Sequence, residues 1–274
     1  MGDDMIGKNV KGILYFHPLC TSSINVLEYI DKKPNIREKL NIIALTREYY
    51  SEQLKIIPSV PALADANNNI LAIDPLEPQL VEAYVNEDHE IVNKYIPNSK
   101  DDALERFINS ILASSYLTSK ILVYPEIVTK LIYSEFSNIA LRTRLYSNTA
   151  LVEIFKNYIR ENIGLVMEKI NHYVPRIVSY NYLREIILVY GIENINHDTV
   201  INDKTILLWL QAKNSIGRAY MYHELLLNKD KKRIDKALNT IIDILEEKID
   251  KYISKLLEEL EFIKSRRDLV KKYI

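Results

Sequence analysis

The stretch "VKGILYFHPLCTSSINVLEYI", residues 10–30, joins an apolar run to a helical pattern through a short loop. Residues 10–16 are rich in aromatic and aliphatic side chains and predict a strand, whereas apolar residues recur at helical spacing from Thr21 onward. The only cysteine of the chain, Cys20, lies between these two patterns. The stretch therefore predicts a strand, a loop and a helix that together present one thiol at a helix N-terminus.

The composition favours a folded globular protein of two units. The chain has 274 residues, of which 47% are hydrophobic and 27% charged, and it exceeds the roughly 100–150 residues of a usual single domain. Its formal net charge of -1 argues against electrostatic binding to nucleic acid. Because we find no secretory signal and no apolar run approaching the ~20 residues of a membrane span, we expect a cytoplasmic protein with no membrane partner. A single cysteine cannot form an internal disulfide, so any redox cycle needs a sulfur from another molecule.

Residues 1–86 alternate between short strand and helix patterns. Apolar runs predict strands over residues 10–16, 40–46, 60–64 and 70–73. Helical spacing predicts helices over residues 22–30, 50–56 and 76–85. The polar residues 67–69 separate the last two strands and predict a hairpin turn. The order β-α-β-α-β-β-α predicts an α/β domain that contains a parallel pair of strands.

Residues 87–274 carry helical patterns and predict a larger all-α domain of six or seven helices. Asp101 and Asp102 suit the start of a helix over residues 103–122. The last helix has the clearest pattern, because apolar residues recur every three or four positions between 234 and 263. The average step is about 3.6 residues, which is the period of a helix packed on a globular core.

Cys20 is the candidate nucleophile. Unpaired backbone N–H groups and the helix dipole favour a thiolate at a helix N-terminus, so we expect the pKa of the Cys20 thiol to be lowered. Ser23 lies on the same side of the first turn, from which its hydroxyl can donate a hydrogen bond to the sulfur. The alternative is structural, because free cysteines are often small buried side chains. Position alone leaves both interpretations open.

The segment "LYFHPLCTSS", residues 14–23, resembles the active-site segment of glutaredoxins, in which a strand ending in tyrosine leads through a proline-containing loop to Cys-x-x-Cys or Cys-x-x-Ser. A second segment, "PSVPAL" at residues 58–63, resembles the Val-Pro pair with a cis proline that faces the thiol in thioredoxin-like folds. The resemblance implies that Val60 and Pro61 lie beside Cys20, where the Val60 backbone offers a strand edge to an extended thiol peptide. The alternative is an ordinary trans proline at the start of an edge strand.

The layout, one thioredoxin-like unit followed by helices, is similar to that of glutathione transferases, although the helical part is longer. Those enzymes usually carry an acidic residue and a serine after the hairpin, and the serine holds the γ-glutamyl group of glutathione. The matching positions here are Asp74 and Pro75. Because proline has neither a hydroxyl nor an N–H, ordinary glutathione binding is not expected. Asp74 remains a candidate to bind an amine.

His17 is a further candidate, because it lies three residues before Cys20 and could help to ionise the thiol. The alternative is a loop histidine that faces water. The other four histidines have no metal-ligand spacing, so we expect no metal site. The chain also has no glycine-rich nucleotide loop.

These features favour a one-thiol redox or thiol-transfer protein, either a thiol-disulfide oxidoreductase or a glutathione-transferase-like enzyme. In this interpretation Cys20 forms a mixed disulfide that an external thiol resolves. The predicted catalytic residues are Cys20, Ser23 and His17, and the predicted substrate-binding residues are Val60, Pro61 and Asp74. The partner is a thiol or disulfide substrate, small molecule or protein, and no cofactor follows beyond a low-molecular-weight thiol. The alternative is a non-catalytic thioredoxin-like binding or scaffold protein whose helical domain recognises a protein partner. A homodimer is compatible with both.

Overall fold

A four-stranded sheet forms the first part of the computed structural model, which describes residues 10–45, 56–146, 150–215 and 230–274. Its strands are β1 (Gly12–Phe16), β2 (Leu40–Ala44), β3 (Ala62–Asp65) and β4 (Ile70–Ile73), in the spatial order β2-β1-β3-β4. β1 pairs parallel with β2 and antiparallel with β3, and β3 pairs antiparallel with β4. The predicted parallel pair and hairpin are therefore confirmed, with strand ends that differ by one or two residues.

Side chains along β1 alternate between two cores, because successive residues of a strand point to opposite faces. Ile13 and Tyr15 belong to a core shared with the helices of the second part. Leu14 and Phe16 point to the other face and pack with helices of the first part. All residues of β1 are buried, which explains why this strand is nearly continuously apolar.

Three helices accompany the sheet in the described part of the first unit: α1 (Thr21–Asp31), α2 (Pro34–Arg37) and α3 (Pro78–Val85). α1 begins where the sequence predicted it. α2 was not predicted, because four residues are too few to show a helical period. α3 begins two residues later than predicted, with Pro78 in its first turn, where proline is tolerated. The helix predicted over 50–56 falls almost entirely on residues outside the described ranges.

Helices make up the second part of the described chain, which confirms an α/β unit followed by a helical region. They are α4 (His89–Val92), α5 (Lys100–Ala113), α6 (Ser115–Val123), α7 (Ile127–Ile132), α8 (Glu135–Ala140), α9 (Ala150–Glu161), α10 (Ile163–Tyr190), α11 (His197–Val200), α12 (Asp203–Ser215), α13 (Lys231–Ser265) and α14 (Arg267–Lys271). The described helices are more numerous than the six or seven that the sequence predicted, because several have fewer than ten residues.

The helix predicted over 103–122 is two helices that meet at Ser114. The backbone of Ser114 is extended, with φ -93° and ψ 102°. Its hydroxyl donates a hydrogen bond to the Pro58 carbonyl at 2.9 Å, and the Ser59 hydroxyl donates to the Ala113 carbonyl at 3.1 Å. These bonds tie the helix junction to the loop before β3. The break has a tertiary cause, so a local helical pattern does not reveal it.

The longest of the described helices, α13, confirms the C-terminal pattern. Ile241, Leu245 and Leu256 on its predicted apolar stripe are fully buried, and the remaining stripe residues are partly buried. Neither α13 nor another helix in the described ranges is both long and apolar enough to cross a bilayer.

The end of the described chain returns to the first unit and covers the outer face of α1. Val270 shares a small core with Phe16, Ile24 and Leu27. The Tyr273 hydroxyl donates a hydrogen bond of 2.6 Å to Asp31 at the end of α1. The C-terminal segment therefore helps to hold the helix that carries Cys20.

A buried arginine, Arg142, joins the helical part to the loop that follows β4. Its guanidinium donates hydrogen bonds of 2.7 Å to the carbonyls of Tyr95 and Pro75 and pairs with Glu77 at 2.5 Å. Burial lowers the pKa of Arg142 to about 10, so the side chain stays charged at neutral pH. The loop next to Asp74 is thereby fixed to the helical part.

Candidate functional site: a thiol cleft between the two parts

Cys20 is the N-cap residue of α1 and lines a cleft between the sheet and the helical part. Its N–H donates to the His17 carbonyl and its own carbonyl accepts the bond from Ile24 N–H, both at 3.0 Å. The thiol Sγ lies 3.6 Å from the Val60 carbonyl oxygen, to which it donates a hydrogen bond. The Val60–Pro61 peptide is cis. The predicted cis proline and its position beside the thiol are both confirmed.

Ser23 is buried under the loop that leads to the thiol. Its hydroxyl oxygen accepts a hydrogen bond of 3.2 Å from His17 N–H. Its hydroxyl and its backbone N–H both hydrogen-bond the Cys20 sulfur, and these bonds act to lower the pKa of the thiol. One side chain thus fixes both the loop and the sulfur, and the contact predicted between Ser23 and Cys20 is present.

The pKa of the Cys20 thiol is nevertheless raised, so the predicted lowering is wrong. Removal of the sulfur from water is the largest cause, and the nearby Asp74 carboxylate adds to it. The hydrogen bonds from Ser23 and the positive charge of Arg184 oppose the rise without reversing it. The sequence shows that Cys20 begins a helix but not how deeply the sulfur lies. At neutral pH the thiol is protonated.

Asp74 follows β4 and lines the same cleft as Cys20. Burial raises its pKa to about 7, repulsion by Glu77 acts in the same direction, and a hydrogen bond with Ser22 opposes them. The carboxyl group is therefore close to half ionised at neutral pH. The structure brings this predicted substrate-binding residue to the thiol, and binding of an amine there stays a prediction.

His17 lines the cleft on the same loop as the thiol. Its ring nitrogen Nδ1 accepts a hydrogen bond of 3.1 Å from Leu19 N–H. This bond uses the imidazole to shape the loop and requires Nδ1 to be unprotonated. The predicted part of His17 in ionising Cys20 stays a prediction.

The opposite wall of the thiol cleft comes from helices α6, α10, α12 and α13, and the cleft has a volume of about 470 Å³. Its charged side chains form pairs: Arg184 lies 3.5 Å from Glu259, and Lys213 lies 2.6 Å from Glu185. The Lys213 ammonium also lies over the ring of Tyr116, 4.9 Å from its centroid. The wall can therefore offer ligands both cationic and anionic groups.

Sequence reasoning did not identify the charged residues of this wall. They lie on separate helices, and a helical pattern carries no signal for which of its polar side chains will meet those of another helix. Within the described ranges, no group of three or more His, Cys, Asp or Glu side chains is arranged to hold a metal ion. Among its described lining residues, the cleft offers one thiol, the Asp74 carboxyl, the His17 imidazole, paired charges and backbone groups.

Comparison with known proteins gives no indication of function. No protein-family profile matches the chain, and no curated protein or solved structure is significantly similar to it. The strand order and the thiol cleft are therefore the observations on which a functional assignment rests.

Proposed function

We propose that this is a one-thiol thioredoxin-like protein that binds an extended disulfide, either a small molecule or a peptide, in the thiol cleft and exchanges with it to form a mixed disulfide at Cys20. The observation that carries the proposal is the position of the Cys20 sulfur, 3.6 Å from the carbonyl of Val60 in the segment that leads into β3. A ligand that lies along this segment has its own sulfur close to Cys20. The parallel β1–β2 pair beside the antiparallel β3–β4 hairpin supports the thioredoxin-like assignment.

The proposed reaction is a thiol–disulfide exchange. Cys20 loses its proton to water, and the thiolate attacks one sulfur of an external disulfide. A new S–S bond forms to Cys20 while the original S–S bond breaks, and the leaving thiolate takes up a proton. The chain has no second cysteine, so an external thiol must attack the mixed disulfide and release Cys20.

The raised pKa of Cys20 determines the pH dependence of this reaction. A thiol whose pKa lies above the ordinary value of 9.0 is at most about 1% ionised at pH 7. Since only the thiolate attacks, the exchange rate should rise roughly tenfold per pH unit until the thiol is ionised. The free protein is thus a slow reagent at neutral pH.

The alternative function, a non-catalytic binding or scaffold protein, is favoured by the same raised pKa. A protonated sulfur that donates to the Val60 carbonyl is a stable structural arrangement. Pro75, which supplies no N–H or hydroxyl, also favours this alternative over glutathione binding. In that case the helical part recognises a protein partner and Cys20 contributes to packing only.

One experiment separates the two functions. The protein is incubated with glutathione disulfide, and separately with the neutral bis(2-hydroxyethyl) disulfide, between pH 6 and 10. Intact-mass spectrometry then measures the adduct on the single cysteine, with Cys20→Ser as the control. We expect one adduct per chain, formed faster at higher pH and removed by an added thiol. If neither disulfide gives an adduct in the folded protein while the urea-unfolded chain reacts, the exchange function is wrong and the binding function remains.

A further inference from the structure

A cation from the helical part contacts the loop that carries the thiol. Arg184 lies on α10, and its guanidinium donates a hydrogen bond to the carbonyl of Leu19, the residue before Cys20. The same guanidinium pairs with Glu259 on α13 at 3.5 Å. The Arg184 side chain is 25% exposed, so its charge is only partly screened by water. Arg184 thus connects the thiol loop to two helices.

Glu259 is itself held in place. The hydroxyl of Tyr180, one turn before Arg184 on α10, donates a hydrogen bond of 2.6 Å to Glu259. The Lys255 ammonium lies over the Tyr180 ring at 4.8 Å from its centroid. The carboxylate of Glu259 therefore has a fixed position from which it can orient the guanidinium of Arg184.

We propose that Arg184 is a positioning residue of the thiol site: held by Glu259, it fixes the Leu19 carbonyl at the start of α1 and places a positive charge beside Cys20. The fixed loop and the positive charge both act on the Cys20 thiol. A fixed Leu19 carbonyl holds the loop from which α1 begins, and the positive charge stabilises the thiolate that forms during exchange. The helical part is thus a component of the reactive site.

Other charged groups around Cys20 also influence the pKa of its thiol. Among the described residues that line the cleft, the charged or titratable ones besides Arg184 and the tyrosines Tyr116 and Tyr180 are His17, Asp74, Glu185, Lys213 and Glu259. Lys213 is paired with Glu185, which leaves Asp74 and the Arg184–Glu259 pair as the main local influences on the sulfur. Asp74 raises the pKa of the Cys20 thiol and Arg184 lowers it.

The test titrates Cys20 directly, so that it does not depend on exchange chemistry. Because the chain has one cysteine, cysteine labelled with ¹³C at Cβ gives a single NMR signal whose shift reports ionisation between pH 7 and 11. Arg184→Gln should reduce the thiolate fraction at a given pH by about threefold, as expected for the loss of one charge several ångströms away. Glu259→Gln keeps an amide oxygen that can still accept from the guanidinium and hold it, but removes the counter-charge, so the thiolate fraction should increase.

Two further variants serve as controls. Arg184→Lys keeps the charge and should stay closer to the wild-type titration than Arg184→Gln does. Arg176→Gln removes an exposed arginine that lies two turns before Arg184 on the same helix and does not line the cleft, and it should leave the titration unchanged. Thermal melting checks that each variant is folded.

Opposite changes for Arg184→Gln and Glu259→Gln support the proposal, because a merely structural ion pair would move the titration in the same direction whichever partner is lost. Changes in the same direction, no change in either variant, or equal effects of Arg184→Lys and Arg184→Gln overturn it. The positioning role of Arg184 rests on the proposed exchange function, but different experiments reject each of them. Absence of a disulfide adduct in the wild-type protein rejects the exchange function, whereas the NMR titration alone decides the part played by Arg184.

Discussion

Replacement of Asp74 by asparagine should stabilise the protein at alkaline pH, although it removes a charged group from the cleft. Burial raises the pKa of Asp74 from 3.8 to about 7. The folded state therefore binds this proton more tightly than the unfolded chain does. The free energy of unfolding falls as pH rises from about 4 to 7. Above pH 7 the Asp74 carboxyl is ionised in both states, and the loss of stability is complete. At 1.36 kcal/mol per pKa unit, the shift lowers the free energy of unfolding by about 4 kcal/mol.

Asp74→Asn removes this cost because the amide does not ionise, and its oxygen can still accept a hydrogen bond from Ser22. Urea unfolding followed by circular dichroism at pH 4.5, 6 and 8 measures the effect. We expect the variant to exceed the wild-type protein by about 1 kcal/mol at pH 4.5, about 3 kcal/mol at pH 6 and about 4 kcal/mol at pH 8. Asp243→Asn, at an exposed position of α13, is the control and should show no such trend. A variant that is less stable than the wild-type protein at pH 8, or a constant difference at all three pH values, would refute the reasoning.

Three further outcomes follow from the packing and the hydrogen bonds. Leu256→Ala should lower the free energy of unfolding by about 2–5 kcal/mol, because Leu256 is 1% exposed. The control is Leu257→Ala at the neighbouring position, which is 41% exposed and should lower it by less than about 0.5 kcal/mol. Urea unfolding measures both values, and equal losses would contradict the expectation. Ser23→Ala should raise the pKa of the Cys20 thiol further and slow iodoacetamide labelling at pH 8, because a hydrogen bond to the thiolate is lost; equal or faster labelling would contradict this expectation. Arg142→Met should destabilise the protein by about 3–5 kcal/mol, since it leaves the carbonyls of Tyr95 and Pro75 without their donor and Glu77 with only the more distant Arg106; a melting temperature within a degree or two of the wild-type value would contradict it.

The strands and the position of the thiol could be predicted because each depends on a short local signal. The apolar run before Cys20 predicted β1, and the polar residues between two apolar runs predicted the hairpin of β3 and β4. The pair Val60 and Pro61 was linked to Cys20 through resemblance to two short motifs. These signals do not depend on how the distant helices pack.

The helix break and the sign of the thiol pKa could not be predicted, because both depend on tertiary contacts. The chain leaves the helical conformation at Ser114, where hydrogen bonds reach the loop before β3. Cys20 does begin a helix, but burial of its sulfur exceeds the opposing effects of the Ser23 hydrogen bonds and of Arg184. Arg184 and Glu259 become part of the site only when two helices meet. A sequence pattern shows what a residue can do locally, whereas burial and partners follow from the complete fold.

The contact between Tyr273 and Asp31 joins residues 242 positions apart, and this distance has a consequence for synthesis on the ribosome. At about 5–20 residues per second, roughly 10–50 s pass between the synthesis of α1 and that of the segment that covers it. During this time Ile24 and Leu27 lack the contact with Val270 that the finished protein provides. The helix that carries the thiol therefore leaves the ribosome well before the segment that covers its outer face. Nascent chains arrested before residue 262 should therefore show faster amide exchange on the outer face of α1 than the released protein.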